Sequence, residues 1–313
     1  MNLVFFGSPD FAIPALKQLL KRHNVLAVVT GPDRPAGRGR NLRPTAVKMT
    51  AEKAALPVLQ PESFTDTGFL KQLEAYKADV YVVVAFKILP PEVFEIPPVG
   101  TINLHASLLP QYRGAAPIQW ALINGEKKTG VTTFFINQRV DTGDILLQKS
   151  CAIPENMIAA ELHDALAHLG ADALAETLDA LEHNSIEPQP QQGEASKAPK
   201  IFRDLGAIDW SESAVSVHNL IRGLSPYPGA FSYLDDKYIK FIRSKVSDPE
   251  APANGNGQLV VESSPDRLLI KTGRGLLEIL TLQPAGKKQM RADEFLRGYR
   301  LPPDARFQQK HAE

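Results

Sequence analysis

Hydrophobic and polar positions alternate along the chain in two successive textures. Residues 2–6 form an unbroken apolar run closed by Gly7-Ser8-Pro9, which predicts a buried parallel strand and a turn. Behind Pro14, Ala15, Leu16, Leu19 and Leu20 recur at helical spacing, and Pro14 suits a first helical turn. Residues 25–30 return to an apolar strand pattern. Strand, helix, strand in this order predicts a three-layer α/β domain. The alternation continues with a helix over 45–55, a short strand over 57–59 and a strong central strand over 79–85. Further strands are predicted over 100–105, 131–136 and 145–149, and a long helical stretch over 155–182.

The second texture begins after a polar segment with three prolines, residues 184–200, which reads as a linker. A helix is predicted over 213–222. Short strands follow over 229–234, 237–245, 258–263, 267–272 and 275–282, several of them separated by Gly or Asn-Gly turns. Closely spaced short strands of this kind predict a small β-barrel of the OB type. The expected organisation is therefore an α/β, Rossmann-like, mostly parallel sheet domain over 1–185, a linker over 186–206, and an OB-like domain over 207–313.

Bulk charge adds little, because 35 Lys and Arg balance 35 Asp and Glu. A local patch changes the picture. Residues 31–44 are rich in glycine, proline and arginine and read as a loop. Over 31–48, Arg34, Arg38, Arg40, Arg43 and Lys48 face a single acid, Asp33. Arginine on a glycine-rich stem suits bidentate phosphate contacts and ordering on RNA; the plain alternative is a solvated loop. Lys287, Lys288, Arg291, Arg297 and Arg300 form a second basic group, which also reads as a solvated edge. The lone Cys151 removes any disulfide framework or multi-cysteine zinc site and reads as a small, partly buried side chain. No apolar stretch reaches a membrane span, and the first residues lack the positive segment of a secretory leader. The expectation is a cytoplasmic protein with no membrane contact, acting as a monomer.

The densest group of reactive side chains lies between Asn103 and Asp144. Asn103 and His105 sit two apart at the end of a strand, so both leave it on one face. Pro110 and Gly114 shape the loop that follows, and ligands favour the carboxyl ends of strands in open α/β sheets. Asp141 comes in a turn after a later strand. An amide, an imidazole and a carboxylate together suit acyl transfer without a metal or a covalent intermediate. Asn and a protonated His hydrogen-bond the developing oxyanion, and the carboxylate supports the imidazole and the proton transfer from an attacking amine. Taken alone, a strand-end histidine and an Asp-Thr-Gly-Asp turn also read as structural.

Longer stretches decide more. Asn103-Leu104-His105-Ala106-Ser107-Leu108-Leu109-Pro110 with Tyr112-Arg113-Gly114-Ala115-Ala116-Pro117-Ile118 resembles the signature of formyltetrahydrofolate-dependent formyltransferases, and Asp141-Thr142-Gly143-Asp144 is similar to the second signature of that family. Three further stretches resemble its tRNA-directed branch: Phe6 to Ala12, Pro32 to Arg40, and Ile208-Asp209-Trp210 with His218 to Leu224. Leu282-Gln283-Pro284 with Gly286-Lys287-Lys288 continues the likeness, which covers nearly the whole chain.

The resemblance implies Asn103, His105 and Asp141 as the catalytic triad. It implies 10-formyltetrahydrofolate as formyl donor, held by Ser107, Leu108, Leu109 and Pro110 together with Phe86, Ile88 and Leu89. Lys87 departs from the pattern, where relatives carry glycine, and alters that wall. The resemblance further implies initiator methionyl-tRNA as acceptor, contacted by Arg34, Arg38, Arg40, Arg43, Lys287 and Lys288, with no metal required for the chemistry. One rival is a formyltransferase acting on an amino-sugar nucleotide or a purine-precursor amine, which needs no arginine loop. A nicotinamide dehydrogenase lacks its phosphate cradle here, since Gly7-Ser8-Pro9 is not Gly-Xaa-Gly-Xaa-Xaa-Gly. A non-catalytic RNA-binding protein has no use for the triad.

Overall fold

The structure is a computed structural model that describes residues 1–36, 41–252, 255–263, 266–299, 301–302 and 304–308. Its contacts group the chain into two compact units. The first takes Met1–Ala115, Lys128–Cys151 and His163–Ala198; the second takes Ala116–Lys127, Ala152–Leu162 and Pro199–Glu313. The grouping interleaves along the chain because the helix Pro117–Ile123 packs against the helix Ala214–Leu224, far away in sequence.

In the first unit the strands are β1 (Asn2–Gly7), β2 (Asn24–Val29), β3 (Arg34–Ala36), β4 (Asn41–Arg43), β5 (Val58–Leu59), β6 (Val80–Val84), β7 (Gly100–His105), β8 (Arg113–Gly114), β9 (Lys128–Phe135), β10 (Ile145–Ala152) and β11 (Lys197–Ala198). Seven of them form one sheet in the order β10-β9-β7-β6-β1-β2-β5. Pairings from β5 through β7 are parallel, and β9 runs antiparallel to β7. The Val-rich β6 is buried at every position, as a central strand covered on both faces must be. The helices begin where the sequence places polar caps. Thr45 accepts the Lys48 N–H at the head of Ala46–Lys53, and Asp66 accepts the Phe69 N–H at the head of Thr67–Ala75.

Two expectations shift. The long helix starts at Ala159 and runs to Glu182, because the Glu161 carboxylate reaches back to accept the Ile158 N–H at 3.0 Å and closes the helix start there. The segment expected as a loop over 31–44 contains a short antiparallel hairpin, β3 with β4. Its stem is fixed by a part-buried network. Lys48 Nζ donates to Asp33 Oδ2 and to Gln60 Oε1, both at 2.8 Å, and Gln60 Nε2 donates to Asp33 Oδ1 at 2.9 Å. Glycine and proline composition hides such a ladder, since hairpins this short carry no hydrophobic alternation.

The second unit holds β12 (Ala230–Leu234), β13 (Lys237–Asp248), β14 (Leu259–Ser263), β15 (Asp266–Lys271), β16 (Leu276–Pro284) and β17 (Met290–Arg291). They form an antiparallel sheet in the order β12-β13-β16-β15-β14, with β17 added to β16. Both outer strands are joined by the same later segment. Tyr233 of β12 bridges Gln308, and Gln258 beside β14 bridges Arg306, so the sheet closes into a small barrel. Trp210, Phe241 and Phe307 meet inside it with ring centroids 5.1–5.8 Å apart. Among the described residues no helix is long and apolar enough to cross a membrane.

Candidate active site

At the carboxyl ends of β6 and β7, within the first unit, lies a cavity of about 480 Å³, a volume suited to a small organic ligand. Asn103, His105 and Asp141 all line it. Register explains why. Asn103 and His105 alternate with Leu104 on β7, whose neighbours are β6 and β9, so residues spaced by two share a face.

His105 is buried. Its Nε2 lies 2.8 Å from the Tyr112 carbonyl oxygen. A carbonyl only accepts, so Nε2 carries the proton and donates, and Nδ1 is the atom turned toward Asp141. The distance from His105 Nδ1 to Asp141 Oδ2 is 3.8 Å. That oxygen also accepts the Gly114 N–H at 2.8 Å. Asp141 holds φ at 55°, in the left-handed region, where a side chain other than glycine costs roughly 1–2 kcal/mol. The Asp141 turn is packed tightly. A Cβ built on Gly143 would stand 1.6 Å from the Phe135 carbonyl oxygen, so only glycine fits.

The cavity wall combines aromatic and basic groups. Phe86 is held by Phe6 and Phe64, at centroid separations of 5.9 and 5.7 Å. Lys87 places its Nζ 5.7 Å from the Phe64 ring centroid, a cation–π distance. The rim exposes Ile88 at 76% and Val140 at 54%, apolar surface of the kind a ligand covers.

Of the residues implied by resemblance, the structure brings Asn103, His105, Asp141, Phe86, Ile88 and Leu89 to this cavity. Ser107, Leu108, Leu109 and Pro110 are not among its lining residues. They form a loop fixed from behind: Ser107 Oγ donates to the Gln111 carbonyl at 2.6 Å, and Thr132 Oγ1 donates to the Ser107 carbonyl and accepts the Leu109 N–H. Arg34 and Arg43 are Cα partners across the hairpin, both exposed. Arg38 and Arg40 lie outside the described residues. Lys287 and Lys288 are exposed in the turn after β16. Nearby Arg291 and Arg297 both pair with Asp293 at 2.9 and 3.2 Å. Burial pushes the half-buried Cys151 thiol up, against a role as nucleophile.

Sequence reasoning missed Arg139, which lines the cavity beside Asp141, and Gln191, which ties the Asp141 turn to Arg113. Arg139 stands two residues before Asp141, close enough to have been named with it. Gln191 carries no such signal.

The fold has known counterparts, and the chain belongs to the formyl transferase family. The formyl transferase profile matches residues 1–178, and the profile of the formyl transferase C-terminal domain matches residues 200–300. The chain is 46% identical over 302 residues to a methionyl-tRNA formyltransferase of Thermodesulfovibrio yellowstonii, covering 96% of each chain. It is 45% identical over 304 residues to a methionyl-tRNA formyltransferase of Pelotomaculum thermopropionicum, covering 96% of this chain and 97% of that one. In fold it is similar to the crystal structure of an N-formyltransferase from Helicobacter canadensis in complex with folinic acid and dTDP-3-aminofucose. That match has a TM-score of 0.66 and 20% identity, and covers 88% of this chain and 98% of the other.

Proposed function

We propose that this protein transfers the formyl group of 10-formyltetrahydrofolate to the free amino group of methionine carried on initiator tRNA, in the cytoplasm and as a monomer. The observation that carries the reaction is the juxtaposition of Asn103, His105 and Asp141 on one cavity, with His105 Nδ1 and Asp141 Oδ2 3.8 Å apart.

The chemistry follows from that placement. The methionine nitrogen attacks the formyl carbon, forming a C–N bond and a tetrahedral intermediate whose oxygen carries the negative charge. Asn103 supplies an amide N–H for that oxygen, and His105, when protonated, adds the N–H at Nδ1. Oxyanion donors held in place by the fold act without reorganising. The nitrogen must then lose a proton. Asp141, its side chain only 10% exposed, is the carboxylate on the cavity placed to receive it, directly or through a water. Breaking the bond between the formyl carbon and N10 of the folate, with the proton delivered to that nitrogen, yields tetrahydrofolate and formylmethionyl-tRNA. The groups here need no metal at the reacting carbon.

The aromatic wall around Phe86 suits a flat pterin ring, and Arg139 and Lys87 suit the carboxylates of a folate tail. For the acceptor, the hairpin is the supporting feature. Arg34 and Arg43 face each other across two strands, an arrangement that like charge disfavours and an intervening phosphate stabilises. Lys48, on the helix that follows, is held by Asp33 at the base of the hairpin, so the arginines carry the phosphate contacts. The identity of 45–46% to methionyl-tRNA enzymes over 96% of the chain supports this acceptor over an amino sugar. The test is direct. Purified protein, formyl-folate and methionyl-tRNA should yield formylmethionyl-tRNA, while uncharged tRNA and a nucleotide-linked amino sugar should yield no formylated product. Formylation of the sugar at a comparable rate would overturn the acceptor assignment.

A further inference from the structure

Residues 184–200 read in the sequence as a passive connection, yet inside the first unit they brace both loops that carry the site. Arg113 donates its backbone N–H to the Ser196 carbonyl at 2.9 Å, and Tyr112 donates its own to Ser196 Oγ at 2.8 Å. Ile145 and Gln189 exchange backbone hydrogen bonds at 2.7 and 2.8 Å. Between these anchors stands Gln191. Its Oε1 accepts from Arg113 Nε at 3.2 Å and from Arg113 Nη2 at 2.6 Å. Its Nε2 donates to the carbonyl oxygens of Asp141 at 3.0 Å and Gly143 at 2.9 Å.

Both ends of this amide are committed, and they are not interchangeable. Guanidinium only donates and carbonyl only accepts, so the orientation is fixed by its partners. The Asp141 backbone sits in the left-handed region, a conformation that persists only where surroundings over-determine it. Gln191 supplies two of the bonds that do so. Through Arg113 it also reaches β8, the strand whose Gly114 N–H holds Asp141 Oδ2.

We propose that Gln191 is the positioning residue for the Asp141 carboxylate: it locks the 141–143 turn in the conformation that turns Oδ2 toward Gly114 and His105, and couples that turn to Arg113. This rests on the reading of Asp141 as a catalytic group. Gln191 touches no reacting atom, so its effect on the chemistry passes through the turn it holds.

That dependence sets the experiment. Two variants separate the two ends of the amide. Gln191→Met removes both sets of bonds, whereas Gln191→Glu keeps the acceptor for Arg113 but turns a carboxylate toward two carbonyls. Single-turnover formylation should fall about tenfold to a hundredfold in both, the penalty for a misplaced catalytic group. KM for folate and for methionyl-tRNA should stay within about twofold, since a positioning group acts on the chemical step. In an Asp141→Asn background the same substitutions should cost less than about twofold more, because the two sites act as one unit. Gln192→Met, exposed and adjacent, should match the parent and so controls for linker integrity. A Gln191→Glu enzyme with parental turnover would overturn the proposal. So would a full, multiplicative penalty in the Asp141→Asn background, which would mark Gln191 as merely holding the fold. Parental turnover of Asp141→Asn by itself would instead overturn the reading of Asp141, and with it the role of Gln191.

Discussion

His105 and Asp141 approach each other at 3.8 Å, Nδ1 to Oδ2, just beyond hydrogen-bond range, so a group that touches one comes close to the other. Such a pair suits a reaction in which a proton leaves an incoming amine. Replacing His105 with Ala, or Asp141 with Asn, should lower single-turnover formylation by at least about a hundredfold, the low end for lost acid–base or oxyanion assistance. Folding should survive, as judged by thermal melting. Near-parental turnover of a folded His105→Ala protein would remove His105 from the mechanism.

The hairpin makes a second prediction. With Arg34 and Arg43 opposite one another, a double Ala substitution should weaken tRNA binding and flatten its salt dependence. Each lost phosphate contact should lower the log–log slope by somewhat less than about one unit. Folate KM should hardly change, and the melting temperature should not fall, because both side chains are exposed. Parental binding across a salt titration would argue that the hairpin does not touch RNA.

A third concerns stability against pH. His218 lies buried in the second unit, its Nε2 donating to the Glu155 carbonyl at 3.1 Å and its Nδ1 accepting from Ser244 Oγ at 3.0 Å. Burial is the main reason its pKa is lowered from the ordinary value, with Arg222 and Lys127 adding to the effect and Glu155 opposing it. His23 is lowered as well, again chiefly by burial. In each case the folded protein releases its proton more readily than the unfolded chain. Their stabilising contribution is therefore complete above the unfolded pKa of about 6.5 and is lost as pH falls below it. The melting temperature should drop between about pH 7 and pH 5, and His218→Gln should reduce that slope without abolishing it, since His23 remains. A variant slope as steep as the parent's would show that His218 takes no part.

Gly143 gives a fourth. An alanine there meets the Phe135 carbonyl at 1.6 Å, so the turn must lift and carry Asp141 with it. Overpacking of this sort costs about 1–3 kcal/mol, and turnover should fall on the order of a hundredfold from the displaced carboxylate. The two effects are read by melting and by single-turnover rate. Unchanged turnover in Gly143→Ala would mean that the turn has room the geometry does not show.

These tests mark what could be read from the chain. The sheet was legible because apolar runs such as residues 79–85 have few other fates. His105 and Asn103 were legible because spacing by two fixes a shared face. Ser107 to Pro110 were named as ligand contacts from their motif; the bonds that brace their loop, to Gln111, Thr132 and Gln148, are visible only from three-dimensional proximity. Gln191 was illegible for the same reason. A glutamine among prolines reads as solvated, and its four bonds reach residues 48–78 positions away along the chain. The β3–β4 hairpin was too short to leave a periodic trace.

The barrel closes through residues 305–308, which bridge to β12 on one side and beside β14 on the other. On the ribosome those residues are made after every strand they join. Until they emerge, the growing chain shows two open sheet edges, each a template for pairing with a neighbouring chain. A translation pause short of residue 305 thus leaves a nascent protein ready to aggregate, and the last few residues of the barrel act as its zip.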